Sequence, residues 1–326
     1  MKRSARHLLR NLAATIIACI GFTACSQDEL AEQGTPLPVG QYPLELQAGG
    51  LQAVAAPVQP ATRGTFDDDW DGVESVWVIV NGNGDKKKEY KVEASGDKKT
   101  ARLTPVVSLA DSDDLFWWKS TTEEKTVEAW YPYKSTTPPT DWSVSPTQTA
   151  ETFAEEDLMY GYAKMTMDDP TIVFKHVLSK VVINLTKSDY LNEASVVSVS
   201  LTGQYLTGTF TDYESGNWAM DRKEDGQIQS ITACRLLPPN DGYYATYVAL
   251  CIPQKLEERN VPSITITVDD VTYRYKLVAE GPISTYYQSG YITTYNITVK
   301  SEGLEVTPQI RSWWEGAEGD GSVTIE

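Results

Sequence analysis

The sequence predicts an all-β protein folded as two tandem antiparallel β-sandwich domains, on three observations. Runs rich in Val, Ile, Thr, Tyr and Trp recur at a spacing of roughly ten residues, among them "ESVWVIV", "ATYVALCIP" and "YITTYNITVK". Clusters of Gly, Asn, Asp and Pro separate these runs, and no segment sustains a helical apolar period. The 326 residues suffice for two such domains, each burying its own core.

The chain opens on a targeting segment. Lys2, Arg3, Arg6 and Arg10 form a basic start, "NLAATIIACIGF" is apolar but too short to span a bilayer, and "FTAC" ends in small residues. Residues 1–24 therefore read as a signal peptide. The junction "GFTAC" before "SQDEL" resembles the lipobox of bacterial lipoproteins, which makes Cys25 an acylated membrane anchor. The alternative is an ordinary secretory signal cut after Ala24, leaving Cys25 free. Asp28 and Glu29 resemble a surface-export signal of Gram-negative lipoproteins. Loss of the four basic residues takes the formal charge from −17 to −21, a field that disfavours nucleic acid as a partner.

Residues 25–63 have the Pro/Gly/Ala/Gln composition of a linker, with one exception. In "YPLELQA", Tyr42, Leu44, Leu46 and Ala48 alternate with Pro43, Glu45 and Gln47, the period of a half-buried strand. Beyond it, "APVQPATRGTFDDDW" contains Arg63, the only Lys or Arg between Arg10 and Lys86. The Arg63–Gly64 bond is either a protease site in exposed chain or an unselected linker residue.

From Glu74, "ESVWVIVNGNGDKKKEYKVEA" reads as a hairpin across an Asn/Gly turn, followed by the strand "TVEAWYPY". The lysine runs "DKKKEYK" and "GDKKTAR" read as the solvated face of an edge strand. "STTPPTDWSVSPTQTAETFAEED" reads as a long polar connection. A second strand series opens with "TIVFKHVLSKVVINLT", placing the domain boundary near Pro170, with one domain over 64–170 and another over 171–326. The tail "SEGLEVTPQIRSWWEGAEGDGSVTIE" lies beyond the last sheet-like run and holds strand-like pieces of its own.

Catalytic chemistry is poorly supplied. Outside the signal the only histidine is His176, on one strand face with Phe174 and Leu178, and it reads as a packed structural residue. No nucleophile elbow, zinc-protease pair, P-loop or dinucleotide fingerprint occurs, so no cofactor is expected. Asp67, Asp69, Asp71 and Gly72 fit the start of an EF-hand loop, but its bidentate position falls on Val78. Trp117, Trp118, Trp313 and Trp314 either stack on sugars or fill cores and chain-to-chain grooves. Cys234 and Cys251 flank a turn near Asn240–Tyr243; they form a disulfide or remain two buried thiols.

"DLMYGYAK", "IVFKHVLSKVVINL" and "YNITVKSEGLEVTPQIRSWWEGAEGDGSV" together resemble the fimbrillin-like subunits of type V pili from anaerobic Gram-negative bacteria. Within them Phe174, His176 and Trp313 carry the most specific part of the resemblance. The resemblance implies two transthyretin-like sandwich domains, export as an outer-membrane lipoprotein, and no catalysis. It also implies that an arginine-specific protease removes an N-terminal strand, and that a C-terminal strand from the next subunit fills the vacated groove. Expected partners are other pilus subunits, that protease, the outer membrane and a host or glycan ligand, with the end product a cell-surface fimbrium. The competing reading is a surface glycan-binding lipoprotein in which residues 26–63 are only a tether.

Overall fold

The computed structural model describes residues 34–49, 69–81, 86–106, 115–132, 140–191, 195, 197–211, 219–223, 226–277 and 286–313. The signal segment, Cys25 and the Arg63–Gly64 bond lie outside the described residues.

The chain is nearly all β, as its alternating patterns require. Its first part carries β1 (Leu46–Gly49), β2 (Ser75–Val80), β3 (Lys88–Ala94), β4 (Ala101–Pro105), β5 (Lys125–Tyr131), β6 (Asp141–Ser143), α1 (Ala150–Glu156), β7 (Met159–Met165) and β8 (Thr171–His176). All of these strands except β6 close into a barrel in the order β1-β4-β3-β2-β5-β7-β8. Neighbours are antiparallel except at the closure, where β1 runs parallel to β8. Period-two alternation sends Val76, Val78, Val127, Ala129, Ile172 and Phe174 inward, where they meet Trp70, Tyr90 and Leu103. The lysine-rich β3 is not an edge: it lies between β2 and β4, and Lys91 points outward beside Glu93 at 3.3 Å. The barrel itself runs past Pro170, since β8 ends at His176.

The remainder carries β9 (Ser179–Leu185), β10 (Val197–Tyr205), β11 (Thr207–Thr211), β12 (Ala219–Arg222), β13 (Ile228–Thr232), β14 (Cys234–Leu236), β15 (Ala245–Cys251), β16 (Gln254–Lys255), β17 (Ser263–Val268), β18 (Val271–Lys276), β19 (Tyr286–Tyr287), β20 (Tyr291–Lys300) and β21 (Gly303–Ser312). One sheet has the order β14-β15-β9-β20-β21 and another β13-β10-β17-β18. Every residue of β9 and of β15 is buried, including the polar Ser179, Lys180 and Asn184 of β9, as their central place in the sheet requires. Tail residues expected to lie beyond the sheet are part of it. Gly303–Ser312 folds back on β20 through a two-residue turn, from Lys300↔Gly303 to Tyr291↔Ser312.

The polar connection between β5 and β7 does not stay with the barrel. β6 pairs with β11, completing a three-stranded sheet, and beside it the N–H of Gln148 donates to the Thr232 carbonyl while the N–H of Thr232 donates to the Pro146 carbonyl. Buried Gln148 then clasps the backbone of Leu250 in β15: Nε2 donates to its carbonyl at 2.9 Å, and its N–H donates to Oε1 at 2.7 Å. α1, absent from the sequence expectation, follows a reciprocal cap in which Thr149 Oγ1 accepts from the N–H of Thr152 and Thr152 Oγ1 from that of Thr149. Ile79, Trp130 and Tyr160 project from the barrel's outer face into the same core as β9, β15 and β20. The two halves therefore pack against each other through this cluster, while the barrel keeps a separate interior of its own.

Cys234 and Cys251 do flank a hairpin, but its register sets Cys234 opposite Val248. Cys251 lies three positions further along, about 10 Å at strand rise and outside disulfide reach. Both remain buried free thiols, and burial pushes the thiol ionisation of each upward.

At the link between β8 and β9, the N–H of Val177 donates to the Leu158 carbonyl, Ser289 Oγ donates to the Val177 carbonyl, and the N–H of Gly290 donates to the Leu178 carbonyl. His176 is buried there with Nδ1 at 3.0 and 2.9 Å from the two Asp157 carboxylate oxygens. Trp313, 3% exposed, stacks flat on the imidazole at 3.8 Å between ring centres, with Lys180 Nζ 5.2 Å over the indole. The end of β21 is thus fastened at the junction of the two halves.

Two substitutions test this architecture by urea unfolding. Gln148→Ala strands a buried N–H and C=O of Leu250 and is expected to cost about 2–4 kcal/mol. Trp313→Ala removes the stacked plug at the junction and is expected to cost about 3–5 kcal/mol.

Candidate functional site

The feature that sets this barrel apart is the origin of its closing strand. β1 belongs to the alternating "YPLELQA" segment and lies between two strands that do not touch each other. On one side Leu46, Gln47 and Ala48 pair with Leu103, Arg102 and Ala101 of β4. On the other, Gln47, Ala48 and Gly49 pair with Thr171, Ile172 and Val173 of β8, and the N–H of Gln47 donates to the Pro170 carbonyl at 3.0 Å. Leu44, Leu46 and Ala48 are buried in the barrel core, while Gln47 faces solvent. This is the face assignment that the period-two alternation predicts for Leu44, Leu46 and Ala48, whereas Tyr42, the fourth residue of that set, is exposed.

The inserted segment is longer than the sequence pattern indicated. Upstream of β1 the chain lies along residues 116–121: the N–H of Leu44 donates to the Phe116 carbonyl at 2.8 Å and that of Trp118 to the Tyr42 carbonyl at 3.0 Å. Further out, the N–H of Leu37 donates to the Lys119 carbonyl and that of Thr121 to the Thr35 carbonyl. Pro36, Pro38 and Pro43 were the available signal for this extension, because proline and the residue before it favour extended backbone.

Two contacts missed by sequence reasoning bind β1 to its neighbours. The buried Tyr90 hydroxyl on β3 donates to the Leu44 carbonyl at 2.9 Å. Burial, reinforced by the Glu45 charge, raises the pKa of that phenol, so it stays protonated and remains a donor. Outside the barrel, Arg102 Nη2 meets Glu45 Oε2 at 2.5 Å, and this bond raises the ionisation of the guanidinium further.

β1 contributes structure rather than chemistry. Without it the barrel becomes an open sheet whose edges, β4 and β8, stand about two strand spacings or nearly 10 Å apart, too far to pair with each other. Both would present unpaired backbone groups beside an uncovered apolar interior.

The other residues singled out by sequence fall elsewhere. Phe174 lies in the barrel core, edge-on to Trp70 at 5.1 Å, whereas His176 and Trp313 meet at the junction described above. Trp70, Trp118, Trp130 and Trp313 are buried, so these four offer no platform for sugar stacking. Trp218 and Trp314 lie outside the described residues. In the acidic turn, Asp67 is likewise outside them, while the Asp71 carboxylate pairs with Lys98 Nζ at 2.6 Å and Val78 is core.

Comparison with known proteins sets this geometry in context. A candidate cell adhesion protein of Bacteroides ovatus superposes with a TM-score of 0.61 at 20% identity, covering 83% of this chain and 97% of the other. One from Bacteroides uniformis gives 0.60 at 17% identity, covering 85% and 100%. The tip fimbrial protein Mfa3 of Porphyromonas gingivalis aligns over 82% of this chain and 100% of its own, with a TM-score of 0.43 at 10% identity. Among curated proteins, none matches the sequence. The family profile described as Fimbrillin-like matches residues 62–313, beginning beside Arg63 and ending at Trp313, and the chain accordingly belongs to the Fimbrillin-like family.

Proposed function

We propose that the chain is a structural subunit of cell-surface fimbriae, exported as a lipoprotein acylated at Cys25 and assembled by donor-strand exchange. One observation carries this reading. The barrel is closed by a strand whose onward link to β2 runs through the segment that contains Arg63. Cleavage of Arg63–Gly64 by an arginine-specific protease leaves Cys25 and β1 on one fragment and the remaining strands on the other. The lipid then anchors only the short fragment, which the barrel holds by hydrogen bonds and apolar contact alone.

Replacement of that fragment follows from the same physics. Burying Leu44 and Leu46 stabilises the segment by about 2 kcal/mol each, and Ala48 adds less. These gains are open to any strand of matching alternation, since main-chain pairing needs only the N–H and C=O groups that every residue but proline supplies in full. The C-terminal segment supplies one: in β21, Leu304, Val306, Pro308 and Ile310 alternate with Glu305, Thr307, Gln309 and Arg311. Supplied by a second copy, which would give up its own β20 pairing to do so, this strand would re-close the barrel and join the subunits. The resulting role is scaffolding and surface adhesion rather than catalysis.

Mass spectrometry of N-termini from purified fibres and from whole membranes tests the scheme. The expected fibre form begins at Gly64, and the expected membrane form begins at acylated Cys25. Arg63→Ala is expected to leave only the membrane form and to abolish fibres. Fibres in which every copy retains residues 25–63 in one uncut chain overturn the scheme.

A further inference from the structure

Resting on the reading of the groove as an exchangeable site, we propose that Arg102 selects the register of whatever strand occupies it, with Tyr90 as a backbone anchor. The selection problem is real, because alternation alone leaves it unsolved. A one-residue slip would turn Leu44, Leu46 and Ala48 out to water and is excluded by their burial. A two-residue slip keeps apolar side chains inward and every backbone pair intact. The core discriminates by volume, since such a slip sets Leu46 where Ala48 packs or Ala48 where Leu46 packs, and a charged contact on the outer face adds a second criterion.

Arg102 is placed to do so. Its position on β4 is opposite Gln47 of β1 on one side and Glu93 of β3 on the other. The guanidinium nonetheless reaches diagonally to Glu45, while Glu93 is engaged by Lys91 at 3.3 Å. Among Pro43, Glu45 and Gln47, the side chains on the outer face of this segment, only Glu45 is charged. One register of the native segment therefore pairs Arg102, and slips of two residues in either direction do not.

Tyr90 reads no side chain. Its hydroxyl takes a main-chain carbonyl, so it favours an inserted backbone at that depth whatever the sequence. Division of labour follows: Tyr90 contributes affinity, Arg102 discrimination. A second copy fits the same code. With Leu304 in the place of Leu44, Glu305 comes to Arg102 and Val306 to the place of Leu46. A strand displaced by six residues would instead bring Arg311 against Arg102, a like-charge contact. The groove is thus matched to an apolar-acid-apolar triplet, with the acid at one defined position.

The test uses the full chain carrying an introduced protease site between Val54 and Pro57, so that cutting is independent of Arg63. After cleavage the protein is unfolded in urea and refolded with excess labelled peptide corresponding to residues 42–49, to its Glu45→Lys variant, or to residues 302–309. Arg102 is 53% exposed at its side chain, so its replacement leaves the core intact. Arg102→Glu is expected to weaken the 42–49 and 302–309 peptides about tenfold and to strengthen the Glu45→Lys peptide by a similar factor. Tyr90→Phe is expected to weaken all three about equally, by about fivefold. Register is read separately by disulfide trapping between Leu46→Cys in the 42–49 peptide and Leu103→Cys in β4, which is expected to weaken in the Arg102→Glu chain. An unchanged peptide ranking in Arg102→Glu overturns the proposal, as does failure of any peptide to enter. If peptides are discriminated but Arg63-cut subunits build no fibres, fibre assembly by exchange fails and register selection stands.

Discussion

Closure of the barrel by a strand from outside its contiguous run is the constraint on which the rest of this structure depends. β4 and β8 each need a partner, and they are too far apart to supply one another. β1 satisfies both edges at once, antiparallel to one and parallel to the other, while Leu44, Leu46 and Ala48 complete the interior. A bare edge beside an apolar core invites pairing with any available strand. Under the proposed exchange, the same property that would make an empty groove a liability would make it an efficient joint. Its energetics are those of β-augmentation, with main-chain bonds giving strength and side chains giving choice.

A joint of this kind transmits load only if the body behind it is continuous. Here the chain passes directly from β8, which lines the groove, into β9, the central strand of the larger sheet. β9 in turn runs parallel to β20, and β20 leads into β21. His176, Asp157 and Trp313 lock the turn between these elements, while β6 and Gln148 carry part of the N-terminal sequence across into the second half. The groove and the candidate donor strand are consequently ends of one hydrogen-bonded path rather than features of separate modules. Under the proposed exchange, that path would run from the accepted strand to the offered one.

Much of this was legible in the residues. Alternation in "YPLELQA" identified a half-buried strand inside linker-like sequence, and "NGNGD" between apolar runs pointed to the antiparallel pairing of β2 with β3. α1 escaped because seven residues are too few for a helical period, and its cap uses Thr152 where a more recognisable capping box has Glu or Gln. β6 escaped because "DWS" is too short to alternate, and Ser143 finds its partner Thr207 64 residues later. Tyr90 lies in a run read as a strand, yet nothing in linear sequence shows that its hydroxyl reaches the Leu44 carbonyl. Cys234 and Cys251 show the complementary limit: their symmetry about a turn was visible, whereas the register that separates them is set by β9 and β15 packing.

The most direct test of strand exchange is the stoichiometry of the excised fragment in assembled fibres. Purified fibres dissolved in denaturant and analysed by quantitative mass spectrometry should contain the body of the subunit from Gly64 onward and essentially no peptide spanning Leu44 to Ala48. One such peptide per subunit would contradict the account, because it would mean that the cut strand still closes its own barrel and that something other than exchange holds the fibre together.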